Sequence, residues 1–127
     1  MTSTLVEMAD EQFVSLTTFR RSGAPVATVV WIARDGDALV VTTVAESGKV
    51  KRLRNDPRVE LRPSNRRGAV VDGAPVATGA AEVTAPDERS TAALRRKYGL
   101  QYRLITGFER VLARGRRQRV ILRITAA

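Results

Sequence analysis

The segment Ser-Gly-Lys-Val-Lys-Arg-Leu-Arg-Asn-Asp-Pro-Arg-Val, residues 47–59, lies between two apolar stretches and guides the interpretation of the rest of the chain. Its first half predicts a short cationic helix. Gly48 permits a tight turn off the preceding strand, and Asp56-Pro57 ends the helix because the residue before a proline is disfavoured in the α region. Val59 then begins the next strand.

This segment has two interpretations. A helix N-terminus carries unpaired backbone N–H groups and the positive end of the helix dipole, so Ser47, Gly48 and Lys49 could together bind a phosphate. Alternatively, the charged residues form a solvated helix face, and only Val50 and Leu53 contact the core. The spacing of the residues leaves both interpretations open.

The composition indicates a single globular domain covering residues 1–127. Hydrophobic residues make up 43% of the chain and charged residues 28%, which is ordinary for a soluble protein. No apolar run approaches the roughly 20 residues that cross a bilayer. The N-terminal sequence also lacks the basic start of a signal peptide, so we expect a cytoplasmic protein with no membrane contact.

The chain contains no cysteine and no histidine. Their absence excludes disulfides, thiolate nucleophiles, Ser–His pairs and the usual zinc ligands. A metal site would have to consist of carboxylates, and we expect none. If the protein is an enzyme, a bound cofactor supplies the chemistry, and no side chain is assigned as catalytic.

The positive charge lies in the C-terminal part of the sequence. The net charge is +9, and residues 94–127 hold ten Lys and Arg residues against one Glu, so the first 93 residues are neutral overall. This asymmetry is typical of a chain that binds nucleic acid, an acidic ligand or an acidic face of a second subunit. Nearly all these cations are Arg, which favours bidentate contacts with phosphate or carboxylate.

Short β-prone segments separated by turn sequences predict three consecutive antiparallel strands near the N-terminus. Residues 15–21 and 26–33 flank the turn 22–25 and predict a hairpin, and residues 38–44 follow the turn 35–37. The second and third strands are apolar on both faces. This pattern indicates the inside of a barrel or a contact with a second subunit, hence a dimer.

The remaining pattern mixes strands and helices. Asp10 predicts the N-cap of a short helix over residues 11–14, and Gly99 predicts the C-cap of a longer one that opens at residues 85–89. An interruption of the β structure is expected at residues 63–68. The other expected elements are strands at 58–62, 69–71, 76–84 and 118–125 and an amphipathic helix at 102–112.

The order of these parts resembles the pyridoxamine-phosphate oxidase-like (PPOX-class) split β-barrel flavoproteins. The most specific points of resemblance are Thr42-Thr43, Lys49 and the run Asp-Pro-Arg-Val at 56–59. More narrowly, the chain looks like the branch of coenzyme F420-dependent reductases, which usually reads Lys-X-X-Asn-Leu-X-X-Asp-Pro-Arg-Val in this segment. The present chain departs from that pattern, because Arg52 stands where the branch has Asn.

The resemblance implies a fold and a function. The fold would be mainly β with flanking helices (α+β), a six-stranded antiparallel split β-barrel like that of FMN-binding proteins, and homodimeric, with a cofactor in each groove at the interface. The function would be that of an F420 (deazaflavin)-dependent oxidoreductase that transfers a hydride between the cofactor and a small organic substrate. An FMN-binding flavoprotein or oxidase of the same fold is the alternative.

A function of a different class also stays open, namely a non-catalytic cofactor-binding protein or a basic nucleic-acid-binding protein. The chain has three Phe, two Tyr and one Trp and no recognised nucleic-acid motif, so the means for stacking bases are few.

The resemblance also implies the cofactor-binding residues. Lys49 would bind the cofactor phosphate with help from neighbouring residues, and the backbone of the second strand would face the ring. The full set is Thr28, Val29, Val30, Thr42, Thr43, Ser47, Gly48, Lys49, Lys51 and Arg52.

The remaining aromatic residues are interpreted as structural. Tyr98 and Tyr102 are the candidate proton donors, yet we expect both to anchor the core with the hydroxyl at the surface. Trp31 is expected in the core or in a dimer contact rather than against a cofactor ring.

Overall fold

The computed structural model describes residues 5, 7–70, 73–99 and 119–126. These residues form one antiparallel sheet of seven strands and two α-helices, preceded by a 3-10 turn at Met8–Asp10. The strands are β1 Phe13–Phe19, β2 Pro25–Val30, β3 Ala33–Asp35, β4 Ala38–Val44, β5 Arg58–Ser64, β6 Ala77–Thr84 and β7 Arg119–Thr125, and the helices are α1 Gly48–Asn55 and α2 Glu88–Tyr98.

The predicted hairpin is confirmed, but the pairing that follows it is not. β1 and β2 pair with Leu16 opposite Thr28, around a turn that contains Gly23 at φ 91°. The order of strands across the sheet is β2-β1-β5-β6-β7-β4-β3. The strand at 38–44 therefore pairs with β3 and β7 rather than with β2, so the prediction of three consecutive antiparallel strands was wrong.

The sheet has seven strands, whereas the resemblance implied six, and the expected strand 26–33 divides in two. β2 ends at Val30 and β3 begins at Ala33, so only Trp31 and Ile32 separate them in the chain. These two strands nevertheless lie at opposite edges of the sheet. The sheet must therefore curl until its edges meet, which is the geometry of a barrel open along one seam.

Two hydrophobic clusters explain why the third predicted strand is apolar on both faces. Leu39 and Val41 of β4 point into the larger cluster inside the curled sheet, whereas Val40 belongs to a second cluster with Leu94 and Tyr98 of α2. β4 is thus buried between the core and a helix of its own chain. The apolar pattern of this strand needs no second subunit.

α1 and α2 have the ends that their sequences predict. Asp56 follows the last residue of α1, and its N–H donates to the carbonyl of Arg52 at 2.8 Å. At α2, the Asp87 carboxylate accepts the Ser90 N–H at 2.6 Å, and the helix ends at Gly99, whose φ is 54°.

Other local predictions were wrong. No α-helix forms at 11–14, because Asp10 ends the 3-10 turn and Phe13 already begins β1. The interruption expected at 63–68 is present from Asn65 to Gly68, but it does not begin at Pro63, which pairs opposite Val14 in β5. The expected strand at 69–71 is reduced to one bridge between Val70 and Ser64, and residues 71–72 lie outside the described residues.

The expected helix at 102–112 also lies outside the described residues, as do five of the C-terminal arginines, Arg103, Arg110, Arg114, Arg116 and Arg117. In the described part of the chain, no helix has the length and apolar character needed to span a membrane.

Candidate functional site

A cleft of about 660 Å³ lies where β2, β4 and the N-terminus of α1 meet the start of β7. One part of its lining is apolar and the other polar, as in pockets that hold a ligand with an aromatic ring and a charged group. The lining residues are Phe13, Val29, Val30, Trp31, Thr42, Thr43, Val44, Glu46, Ser47, Lys49, Arg66 and Arg119.

Three cations, Lys49, Arg66 and Arg119, and one carboxylate, Glu46, line the cleft, and the effect of Arg119 on the pKa of Lys49 shows that these two lie close together. Burial lowers the pKa of Lys49, and the positive charges of Arg52 and Arg119 lower it further. The Arg119 guanidinium is held on β4, because its Nε donates to Thr42 Oγ1 at 2.9 Å and its Nη2 donates to the Thr42 carbonyl at 3.2 Å. Repulsion between like charges in a partly desolvated place is relieved by an anion, so this part of the cleft favours an anionic group.

Three buried hydroxyl groups have no hydrogen-bond partner among the described residues, those of Thr28, Ser47 and Ser90, and of these Ser47 lines the cleft. Ser47 occupies the N-cap position of α1, yet its side chain bonds to none of the helix N–H groups. An unsatisfied buried hydroxyl costs about 1–3 kcal/mol. Because Ser47 lines the cleft, an anion bound at the N-terminus of α1 would satisfy it.

The structure brings six of the ten predicted binding residues together in the cleft: Val29, Val30, Thr42, Thr43, Ser47 and Lys49. The other four are Thr28, Gly48, Lys51 and Arg52, and they are not part of its lining. Lys51 is exposed, and Arg52 Nε donates to Thr18 Oγ1 on β1 at 2.6 Å.

Gly48 does not serve as the predicted turn. It is the first residue of α1 and is not among the glycines with positive φ. A Cβ at this position would lie 2.8 Å from Nη1 of Arg52, so the missing side chain leaves room for that guanidinium.

Sequence reasoning missed Arg66 and Arg119 as cleft residues. Arg66 lies in the turn after β5, where the Asn65 carboxamide oxygen accepts the N–H groups of Arg67 and Ala69. Gly68 in the same turn has φ 90°, and a Cβ there would lie 3.0 Å from Val29 Cγ2. The Asn and Gly residues signal a turn, but nothing local signals that this turn packs on β2.

Three of the other four C-terminal cations that the structure describes are engaged elsewhere. Arg123 Nη1 lies 2.9 Å from Asp35 Oδ2, and Arg95 Nη2 lies 3.6 Å from Glu88 Oε1. Lys97 Nζ donates to three backbone carbonyls, those of Ala9, Glu11 and Ile32. Of the basic residues described between 94 and 126, Arg119 alone lines the cleft.

The hydroxyl of Tyr98 is buried, whereas the sequence predicted it at the surface. The hydroxyl oxygen accepts the Ile32 N–H at 2.8 Å and lies within 2.9 Å of the carbonyl oxygens of Gln12 and Ile32. Burial raises the pKa of Tyr98 to about 12. These contacts remove Tyr98 as a proton donor to a ligand in the cleft, and Tyr102 lies outside the described residues.

The described residues contain no group of three acidic residues that could hold a metal ion.

Comparison with solved structures shows the fold. The chain is similar to the conserved protein Rv2991 of Mycobacterium tuberculosis, with 25% identity over 94% of this chain and 78% of that one and a TM-score of 0.65. It is also similar to the heme storage protein HutZ of Vibrio cholerae, with 13% identity, coverage of 98% and 89% and a TM-score of 0.66. A third similar structure is General Stress Protein 26 of Bacillus anthracis, with 17% identity over 98% of this chain and 87% of that one and a TM-score of 0.63.

Comparison with curated proteins finds no match. The sequence profile of one family, described as pyridoxamine 5'-phosphate oxidase, matches residues 1–127. Together with the seven-stranded antiparallel sheet and its cationic cleft, this match shows that the chain belongs to the pyridoxamine 5'-phosphate oxidase family.

Proposed function

We propose that this protein is a coenzyme F420-dependent oxidoreductase that transfers a hydride between the deazaflavin and a small organic substrate. The observation that carries the proposal is that Lys49 and Arg119 line the cleft together with Ser47, whose buried hydroxyl has no partner among the described residues. Two cations, a hydroxyl and a helix N-terminus are the groups that bind a phosphate ester.

Different residues of the cleft would bind different parts of the cofactor. Lys49, Arg119 and Ser47 would hold the phosphate, and the apolar residues Val29 and Val30 of β2 would lie along the ring. When bound, the deazaflavin supplies a two-electron hydride carrier, so the protein has only to orient the two reactants and exclude water.

We propose further that the protein is a homodimer that completes this cleft. β2 is an edge strand, and its residues from Pro25 to Val29 are exposed or half-exposed, although most of them are apolar. An uncovered apolar edge readily pairs with another chain. Because β2 also forms one wall of the cleft, a subunit that covers this edge would lie next to the ligand.

FMN binding is the second candidate, because a phosphate and a tricyclic ring would occupy the same two parts of the cleft. The resemblance of residues 49–59 to the F420-dependent branch favours the deazaflavin. Heme is the ligand named for HutZ, and it is disfavoured here because the chain lacks histidine and cysteine, two common ligands of heme iron, and the hydroxyl of Tyr98 is bonded within the protein.

A nucleic-acid-binding function is also disfavoured by the structure of the described residues. Arg123 and Lys97 are bonded within the protein, and Lys49 and Arg119 lie in a cleft rather than along an open surface. A protein that binds the cofactor without turning it over would share the same site.

The two cofactors are best compared in parallel fluorescence titrations of the purified protein with F420 and FMN. We expect F420 to bind at least about tenfold more tightly, which is a difference of about 1.4 kcal/mol. Tighter binding of FMN would establish the second candidate instead. If neither cofactor bound at about millimolar concentration while random DNA bound in a salt-dependent manner, the oxidoreductase proposal would be wrong.

A further inference from the structure

Trp31 packs in part against the second hydrophobic cluster, as the sequence predicted, but it also lines the cleft, which the sequence did not suggest. It lies between β2 and β3, where the chain crosses from one edge of the sheet to the other, and it lines the cleft next to Val29 and Val30. It is half-buried, whereas its neighbour Ile32 is fully buried. The indole is therefore fixed at its base in the crossover and open in part to the cleft.

One face of the indole is already covered from within the protein. The rings of Trp31 and Tyr98 are stacked, with 4.5 Å between their centroids and 8° between their planes. Tyr98 lies in the buried cluster beneath α2. The surface that Trp31 contributes to the cleft must therefore come from the other face of the indole or from its edge.

The tyrosine under this stack is held unusually firmly. Its hydroxyl contacts backbone groups of Gln12, just before β1, and of Ile32 in the crossover. The ammonium group of the adjacent Lys97 donates to carbonyls of the same two segments, at Glu11 and Ile32, and lies 5.2 Å from the centroid of the Tyr98 ring. Two successive residues of α2 thus fix the ring on which Trp31 rests.

We propose that Trp31 is the aromatic wall on which the planar ring of the bound cofactor packs, and that Tyr98 is a positioning residue that holds the indole in place. The proposal rests on the proposed function in so far as a cofactor with a ring and a phosphate occupies this cleft. Aromatic rings attract one another in offset-stacked or edge-to-face arrangements, and a preoriented ring loses less entropy on binding.

The contact is tested by comparing ligands that have the ring with one that lacks it. Trp31→Leu should weaken binding of F420 and FMN about tenfold and leave the affinity for inorganic phosphate unchanged, since Lys49 and Ser47 are untouched. Trp31→Phe should keep the affinity for both cofactors within about threefold of the native value. Phe19→Leu, which removes an aromatic ring at the far end of β1, is the matched control and should change nothing.

Three results would overturn the proposal. One is native affinity for both cofactors in Trp31→Leu. Another is an equal loss for the cofactors and for inorganic phosphate, which would indicate a structural role. The third is a shift of Trp31→Leu to a smaller sedimentation coefficient, which would make the indole a subunit contact. If FMN bound and F420 did not, and Trp31→Leu weakened FMN alone, the proposed function would fail while this inference stood.

The positioning role of Tyr98 can be followed directly, because Trp31 is the only tryptophan in the chain. Tyr98→Leu removes the stacked ring, so we expect faster depolarisation of Trp31 fluorescence and weaker cofactor binding at unchanged phosphate binding. Tyr98→Phe keeps the stack and should retain both properties even if its stability falls. Native Trp31 anisotropy in Tyr98→Leu, or a Tyr98→Phe variant that loses cofactor affinity as Trp31→Leu does, would contradict the role.

Discussion

At the scale of single residues, Lys49 and Lys51 lie two positions apart on α1 but in different surroundings. Lys49 lines the cleft and its pKa is lowered by burial, whereas Lys51 is exposed. Lys49→Ala should weaken F420 or FMN binding by roughly 1.5–3 kcal/mol, the range for hydrogen bonds to charged groups. Lys51→Ala is the matched control and should bind normally in the same titration. Equal losses in both variants would mean that the whole charge of α1, rather than one side chain, attracts the ligand.

The lowered pKa of Lys49 also predicts how binding depends on pH. Burial and the charges of Arg52 and Arg119 favour loss of the ammonium proton, so affinity for a phosphate ligand should fall on raising the pH through a value below the usual 10.5. In Lys49→Arg this fall should move to higher pH, because a guanidinium stays protonated. Titrations between about pH 7 and pH 11 measure both profiles, and identical profiles would show that Lys49 does not carry the dependence.

Ser47 offers a test that separates binding from folding. Its buried hydroxyl has no partner among the described residues, so Ser47→Ala loses no internal hydrogen bond and should unfold at the same temperature or slightly higher. The same change should weaken phosphate-ligand binding by about 1 kcal/mol, or roughly fivefold. Ser22→Ala, in the exposed turn before β2, is the control for affinity. A marked fall in stability of Ser47→Ala would mean that the hydroxyl supports α1 instead.

At the scale of elements, the carboxylate of one residue connects two strands and a helix near the seam of the barrel. Asp35 ends β3 and accepts hydrogen bonds from Arg123 of β7 at 2.9 Å and from Arg89 of α2 at 3.0 Å. The hydrogen bond from Arg123 lowers the pKa of Asp35, and the charges of Arg89 and Arg123 lower it further against the opposing effect of burial. This site couples the short edge strand to the rest of the sheet.

Asp35→Asn should therefore lower the thermal midpoint by a few degrees at pH 7. A carboxyl with a lowered pKa stabilises the fold above its unfolded pKa of about 3.9, and this contribution is lost as the pH falls through the folded pKa. The midpoints of the variant and the native protein should thus converge below about pH 4. Asp37→Asn, in the adjacent exposed turn, is the control, and a constant difference at all pH values would contradict the ionic origin of the effect.

The element predictions that succeeded depend mostly on local interactions. The Asp56-Pro57 end of α1, the start of α2 within 85–89 and its end at Gly99 depend on contacts within four residues, and each is present in the structure, although the equally local predictions at Asp10 and Gly48 were wrong. Strand pairing depends on distant residues. Thr42 of β4 lies opposite Ile121 of β7, and no pattern around either residue specifies the other.

At the scale of the whole molecule, the candidate site combines residues that are close in sequence with residues that only the fold brings together. Residues that follow one another in the chain, such as Thr42, Thr43, Ser47 and Lys49, were accessible to sequence reasoning and meet in the cleft. Arg66 lies in a turn and Arg119 in a strand, and only the curling of the sheet brings them to the cleft. Lys51 and Arg52 belong to the set that the resemblance implies, but the pitch of the helix turns them away from the cleft.

The open edge of the sheet predicts that two chains assemble through β2. β2 ends the order of strands and is half-exposed, so a homodimer that covers it should sediment at twice the 13.9 kDa of one chain at micromolar concentration. Ala27→Glu places a charge on the exposed part of this edge and should yield a monomer, because burying an unpaired carboxylate is costly. Val76→Glu makes the same kind of change in an exposed loop and should remain dimeric. Since β2 also lines the cleft, the Ala27→Glu monomer should bind F420 or FMN more weakly than the Val76→Glu dimer. A native protein that sediments as a monomer yet binds the cofactor tightly would show that one chain completes the site alone.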